Sequence, residues 1–386
     1  MNKDKIGLCI AYTGTNYGQL LQAFATQQII RGKGFQTEII KYSSGRNKGI
    51  QLSYGAVVVS LKKILGMIKT KVKKPVVYEL DDLHQRNNSM RKDVADQFRQ
   101  KRLHDVVQCN GIDELRKQSL SYFAVLVGSD QVWLPDVAVS NYFTLRFAAP
   151  GVRRISYATS LGVSAYPNYA KKPAGDFWKK INYLSVREQK GKEIIQSIVE
   201  VPVEVVADPT YLFTKDEWEA FIPTQEIVKK RYILCYFLGD SYPTKQYARK
   251  FANEKGLRIV SILSDECNSD DSQYADEVLI GKSVEDFVNL IRNAEYVLTD
   301  SFHGLAFSVI NQKQVLVFYR KRLDVKESRN SRIDNIVRSW GIEDRLIREP
   351  ENMSIPTTDI DYHEVSIRVE ELRASSIAFL DRALGD

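Results

Sequence analysis

Long apolar runs are missing from this sequence. Nowhere in its 386 residues do about 18 consecutive apolar side chains occur, so no helix is expected to span a membrane. Cysteine is scarce: Cys9, Cys109, Cys235 and Cys267 lie far apart and form no CxxC pair, which excludes a disulfide framework and a zinc site of the usual spacing. The charged start Met1 to Lys5 is followed only by a short apolar stretch with no small-residue cleavage pattern. The expectation is a cytoplasmic, reduced protein. Catalytic signatures are missing too: there is no HExxH, no GxSxG and no kinase set. The acidic pairs Asp81/Asp82 and Asp270/Asp271 sit in polar contexts that suggest no metal site.

What is present is a globular composition, 44% hydrophobic and 27% charged, long enough for two domains. The net charge of +7 is local: residues 41 to 105 hold 15 Lys and Arg against 6 Asp and Glu, and the rest of the chain is close to neutral. Basic residues are not interleaved with aromatics in the way nucleic-acid binding requires, and no nucleic-acid partner is expected.

Ile6 to Tyr12, then TGTNYG (Thr13 to Gly18), then an amphipathic stretch through Leu20, Leu21, Phe24 and Ile29 reads as strand, glycine loop, helix. The loop lacks both the GxGxxG fingerprint and the P-loop lysine. Tyr122 to Val127 before GSD, Tyr183 to Val186, and Val203 to Ala207 before DPT repeat the strand signal. The pattern restarts after Thr214 to Lys230, with strands at Tyr232 to Phe237, Leu257 to Leu263, Tyr296 to Leu298 and Val315 to Phe318, and helices at Thr244 to Lys255, Val284 to Asn293 and Leu305 to Ile310. The fold class is therefore α/β, with two Rossmann-like domains, residues 1 to 214 and 215 to 386, and a site expected between them. A final amphipathic helix, Glu364 to Leu384, is placed to pack back on the first domain. Residues 43 to 118 read as a helical insertion in which Ala56 to Lys74 is apolar and then lysine-rich. Such a segment either lies on an anionic bilayer, each lysine contributing about 1 kcal/mol, or packs on its own domain with a solvated lysine face.

The candidate chemistry sits at strand ends. In YVLTDSFHGLAFSVI a strand runs into a helix, so Thr299, Asp300 and Ser301 offer a cap and the first turn offers free N–H groups to an anion. His303, one of four histidines, enters that loop either as a proton donor or as an incidental residue of a capping turn. Arg187, at the end of a strand, either grips an oxyanion or pairs with Glu188 or Asp208 at the surface. Ser129 and Asp130 follow Gly128 in a turn, and Trp133 is either core or a platform for a sugar ring.

Taken in order, TNYGQLLQAFA, GSDQVW, ISYATSLG, LSVREQKG, VVADPTYLF, TDSFHGLAFSVI and RIDNIVRSWGIEDR resemble the polysaccharide pyruvyl transferases across most of the chain. The resemblance implies a glycosyltransferase-B-like arrangement with an interdomain cleft, acceptor on the first domain and donor on the second. It implies an enzyme that moves the enolpyruvyl group of phosphoenolpyruvate onto two hydroxyls of a sugar, giving a cyclic ketal, with no cofactor and no metal. It assigns His303 as general acid, Arg187, Ser301, Gly304 and Arg332 to the donor, and Asn16, Tyr17, Gly18, Ser129, Asp130, Trp133 and Asp208 to the acceptor or cleft. Other members carry an arginine inside the motif that here reads Ser301-Phe302-His303. The implied acceptor is a lipid-linked oligosaccharide at the inner membrane face, with peripheral contact through Ala56 to Lys74. Two rivals stand beside it: a glycosyltransferase using a nucleotide sugar, and a non-catalytic sugar-binding protein of a polysaccharide locus.

Overall fold

The computed structural model describes residues 2–44, 82–266, 270–320 and 331–385, without the side chains of Asn2, Lys3, Ser331 and Arg332. Ala56 to Lys74 and Cys267 lie outside the described residues, so the membrane-surface segment is not among the features below.

Seven strands form the first sheet: β1 (Asn2–Cys9), β2 (Gln36–Ser43), β3 (Val106–Asn110), β4 (Tyr122–Val127), β5 (Arg153–Thr159), β6 (Tyr183–Val186) and β7 (Glu204–Val205). Six form the second: β8 (Tyr232–Tyr236), β9 (Arg258–Ile262), β10 (Glu277–Leu279), β11 (Tyr296–Thr299), β12 (Gln314–Phe318) and β13 (Leu346–Ile347). The orders are β3-β2-β1-β4-β5-β6-β7 and β10-β9-β8-β11-β12-β13, and every pairing is parallel. Both sheets thus follow the doubly wound order, in which the chain reverses direction across the sheet at its first strand.

Residues 43 to 118 are not simply helical. A helix spans Asp82–Arg102, but Val106 to Asn110 form β3, an edge strand paired in register with β2 (Ile39 opposite Val106), and a short helix follows at Ile112–Ser119. The strand escapes a hydrophobicity reading because only Cys109 in it is buried. The helix expected from Leu305 begins at Phe302, because the Ser301 hydroxyl caps the Gly304 amide and starts the first turn three residues earlier. Past residue 242 the helix Tyr242–Lys255 ends on Gly256 at φ 63°, the left-handed conformation expected at a helix terminus.

The helix Tyr17–Gly32 carries the first domain into the second. Tyr17 stacks on Phe287 with ring centroids 4.6 Å apart, Phe24 meets Trp218 at 6.0 Å, and Trp218 meets Phe307 at 5.0 Å. One apolar core therefore runs continuously from Leu8 and Leu20 of the first domain to Phe287 and Val317 of the second. The loops at the carboxyl ends of the two sheets meet above this seam, a glycosyltransferase-B-like arrangement. The final helix, Tyr362–Gly385, starts beside β12 and ends on the first domain, where Arg153 donates to the Ala383 carbonyl at 2.8 Å and Ser376 accepts from the Ala207 amide at 2.8 Å.

Candidate functional site

Four strand ends deliver the polar groups of the cluster. After β4 comes Ser129, after β6 Arg187, and two residues beyond Val206 comes Asp208; from the other domain, the helix Phe302–Ile310 that follows β11 brings His303 in its first turn. Asp208 is buried at the centre. Its carboxylate accepts from Ser129 Oγ at 2.6 Å, Arg187 Nη1 at 3.0 Å, and the amide and hydroxyl of Thr210 at 3.1 and 2.8 Å. His303 Nε2 lies 3.7 Å from Asp208 Oδ1. Burial alone would raise this carboxyl, but the His303 ring and the Arg187 guanidinium outweigh it and hold Asp208 well below the usual carboxylate range.

Arg187 pairs with Asp208, yet not at the surface: the residue is only 5% exposed. Its guanidinium lies 4.3 Å from the centre of the Phe302 ring, a cation–π contact that crosses between the domains. One edge of the fork is uncommitted. Nε and Nη2 make no hydrogen bond, although Glu188 Oε2 and Asp130 Oδ1 stand 3.8 and 3.7 Å away. Glu188 itself is fixed through its other oxygen, which accepts from Ser160 Oγ and the Leu161 amide at 2.8 and 3.0 Å. A buried guanidinium with its bidentate edge open is suited to a phosphate or carboxylate. The first turn adds to this, because the Phe302 and His303 amides have no carbonyl partner within their own helix.

Gly18 meets His303 from the first domain: a Cβ built on it would collide with Nδ1 and Cγ of the imidazole. Only glycine lets the start of that helix lie against the ring. His303 is thereby fixed between Gly18 and Asp208, with Nε2 buried and making no hydrogen bond.

The remaining candidates take other positions. Ser301 spends its side chain as the N-cap, and Gly304 backs closely onto Thr299 Oγ1. Asp300 is no cap; its carboxylate accepts from the Leu238 and Gly239 amides at 2.6 and 2.8 Å. Asp130 adopts φ 83° and bonds the Gln131 amide. Asn16 caps the helix Tyr17–Gly32 and donates to Glu266 at 2.9 Å. Tyr17 is buried in the seam, its hydroxyl donating to the Lys282 carbonyl at 2.8 Å. Trp133 is a core residue and offers no platform: it is buried against Phe177 and Trp178, with Nε1 donating to the Phe143 carbonyl at 2.9 Å. Arg332 lies at the start of the helix Ser331–Trp340, its side chain outside the described residues.

Several participants escape a reading of the sequence. Thr210 holds Asp208, Glu188, named above only as a partner of Arg187, holds the Leu161 turn, and Asn335 accepts from the Gln189 amide at 2.9 Å, docking the last motif onto the Arg187 loop. Arg91, Asp265, Glu266 and Arg320 form a second polar group in the seam. The nearest available signal is in the helix Asp82–Arg102, where Asn87, Arg91, Ala95 and Phe98 recur at helical spacing and are all buried. Among the described residues, no group of three or more His, Cys, Asp and Glu is placed to hold a metal ion, and no helix is long and apolar enough to cross a membrane.

The family model described as polysaccharide pyruvyl transferase matches residues 16–322. Among solved structures, the chain is similar to UDP-GlcNAc 2-epimerase from Neisseria meningitidis bound to UDP-GlcNAc, with 11% identity over 98% of this chain and 93% of that one and a TM-score of 0.43. MnaA of S. aureus with UDP gives 13% identity over 99% and 93% and a TM-score of 0.45. Heptosyltransferase WaaC of E. coli with ADP-2-deoxy-2-fluoro heptose gives 11% over 86% and 99% and a TM-score of 0.38. A comparison with curated protein sequences gave no match.

Proposed function

Since the chain belongs to the polysaccharide pyruvyl transferase family, we propose that it moves the enolpyruvyl group of phosphoenolpyruvate onto two hydroxyls of a sugar in a surface-polysaccharide precursor, releasing phosphate and leaving a cyclic pyruvate ketal. The observation that carries this reading is the buried convergence of Arg187, Asp208 and His303 from both domains.

Phosphoenolpyruvate bears two anionic groups and one carbon that must gain a proton. The open Nε–Nη2 edge of Arg187 takes one anionic group, aided by the first-turn amides of Phe302 and His303. His303 gives its proton to the methylene carbon, and C2 becomes electrophilic as the first sugar hydroxyl adds. That hydroxyl's proton returns to the imidazole. Cleavage of the C2–O bond releases phosphate, and the second hydroxyl closes the ketal on the oxocarbenium-like centre, its proton leaving with phosphate. Asp208 is a positioning residue: its four hydrogen bonds keep its carboxylate fixed 3.7 Å from His303 Nε2. No cofactor enters this sequence. The acceptor is a lipid-linked oligosaccharide at the inner membrane face, reached through the basic segment Ala56 to Lys74.

The test is thermal denaturation with phosphoenolpyruvate beside UDP, GDP and CMP. A ligand at about 100 times its dissociation constant adds roughly 2.7 kcal/mol. Phosphoenolpyruvate alone is expected to stabilise the wild type, to do so weakly in Arg187→Lys, which keeps the charge and loses the fork, and still to bind His303→Gln. Stabilisation by a nucleotide without any by phosphoenolpyruvate overturns the reading in favour of a nucleotide-sugar glycosyltransferase.

A further inference from the structure

Around Tyr17, the neighbour of Gly18, the seam holds a second polar group that the reaction above does not use. Arg91, 1% exposed, lies with its guanidinium carbon 3.7 Å from the centre of the Tyr17 ring; its Nη2 donates to the Thr15 carbonyl at 2.9 Å and stands 3.5 Å from Asp265 Oδ2. Its Nε and Nη1 make no hydrogen bond. The hydroxyl of Tyr236, buried at the end of β8, faces this guanidinium without a well-formed hydrogen bond, and Asp265 Oδ1 makes none. Four polar atoms without a well-formed hydrogen bond are thus buried in one small region, whereas buried polar atoms are almost always paired. Burial raises the Tyr236 hydroxyl well above its ordinary pKa, with Arg91 opposing and Asp265 reinforcing, so it stays protonated and available as a donor.

The kinds of atom left open define the ligand. An anion needs donors alone and a cation needs acceptors alone. Here two guanidinium nitrogens and a phenol stand beside a carboxylate oxygen, which is what a hydroxyl, donor and acceptor at once, requires. Location points the same way, because Tyr17 adjoins Gly18 and Gly18 lies against His303.

We propose that Arg91, Tyr236 and Asp265, with Asn16 and Glu266 at the rim, form the subsite for the hydroxyls of the acceptor sugar. The proposal rests on the pyruvyl-transfer reading and names the residues that meet its acceptor. The contacts that now close the subsite all run between the domains: Thr15 Oγ1 to Asp265, Asn16 Nδ2 to Glu266 at 2.9 Å, and Arg91 to Asp265. On the second-domain side, Arg320 Nη1 holds Glu266 at 3.0 Å. Such polar contacts exchange readily for hydroxyl contacts of the same chemistry. In the proposed complex the two carboxylates trade Thr15 and Asn16 for the sugar.

Saturation-transfer NMR on the full chain, with the methyl glycosides of galactose, glucose and N-acetylmannosamine, tests this. At least one glycoside is expected to bind the wild type. Tyr236→Phe and Asp265→Asn are each expected to weaken that binding about tenfold, the effect of losing one good hydrogen bond. Tyr236→Phe removes a hydroxyl that meets the Arg91 guanidinium only loosely, so its melting temperature should fall little, and this variant keeps the test valid if Asp265→Asn folds poorly. The proposal is overturned if none of the three glycosides binds the wild type, or if Tyr236→Phe binds them unchanged. Phosphoenolpyruvate titrated in parallel separates the two readings. Glycoside binding lost in Tyr236→Phe supports the subsite even where phosphoenolpyruvate does not bind, and phosphoenolpyruvate binding without any glycoside binding removes the subsite and leaves the donor reading standing.

Discussion

The two sheets share one strand order and use it differently. In the second, the crevice where the order reverses, between β8 and β11, is filled from within: Asp300 takes the Leu238 and Gly239 amides, the donors an anionic ligand would otherwise find there. In the first, the Gly128 amide closes the β1–β4 crevice onto the Cys9 carbonyl at 3.2 Å, and the polar groups gather further along, at the ends of β4, β6 and β7, around Asp208. Each domain so places a buried aspartate, Asp208 or Asp300, at its carboxyl edge. The one in the first domain is held by the Arg187 guanidinium and faces the His303 ring of the other domain, while the one in the second is held mainly by amides. Topology alone places a crevice; side chains decide whether it is filled or left open.

The largest break in this comparison comes from removing one aspartate. Asp208→Ala leaves Arg187 buried without its closest counter-charge and is expected to cost about 3 to 5 kcal/mol in urea denaturation, as loss of one partner of a buried pair does. A loss below about 1 kcal/mol, the range of surface pairs, would mean that the cluster is solvated in solution.

Next comes the contact between the domains. Gly18→Ala forces the His303 ring aside and is expected to cost about 1 to 3 kcal/mol, with activity down about a hundredfold. Gly32→Ala, at the other end of the same helix and facing open space, is expected to be neutral or to stabilise by up to about 1 kcal/mol. Equal effects of the two substitutions on turnover would show that the ring is not held by the first domain.

The smallest effect is the sharpest. Burial raises the Asp300 carboxyl above its ordinary value against the pull of Arg320 and two amides, whereas Asp208 lies below its own. The depressed group contributes stability that is present above about pH 4 and lost as the pH falls further; the raised group contributes stability that is present below about pH 4 and lost as the pH climbs. The stability gap between wild type and Asp208→Asn should therefore narrow on acidification. The gap for Asp300→Asn should move in the variant's favour as the pH rises, by no more than about 1.4 kcal/mol per unit. Slopes of the same sign in urea titrations across pH 3 to 7 would remove the distinction between the two aspartates.

What could be read from the sequence was local. The strand, loop and helix around TGTNYG and around TDSFHG follow from hydrophobic period and capping residues within a few positions, although the first strand runs earlier, Asn2–Cys9, and the second helix begins three residues earlier, at Phe302. The convergence of residues 129, 187, 208 and 303 is not local. It depends on strand order and on the approach of two domains, neither of which any window of sequence contains. Arg91 shows the difficulty most plainly: in a helix as polar as Asp82–Arg102 it reads as solvated, and it is buried between Tyr17 and Thr15 of its own domain and Asp265 and Tyr236 of the second. Trp133 errs the other way, an aromatic beside a turn that the first-domain core absorbs.

The returning helix has a mechanical consequence. The chain leaves the first domain after β7, and it comes back along Tyr362–Gly385, whose start is tied to Gln314 through the Ile360 amide and whose end is tied to Arg153. Two separate spans therefore join the domains. A single tether would allow one body to swing and twist freely about the other, but two spaced tethers leave only rotation about the line through both, as a door turns on a pair of hinges. Gly18 and His303, carried on opposite sides of the seam, are thus held in one register by two attachments rather than one.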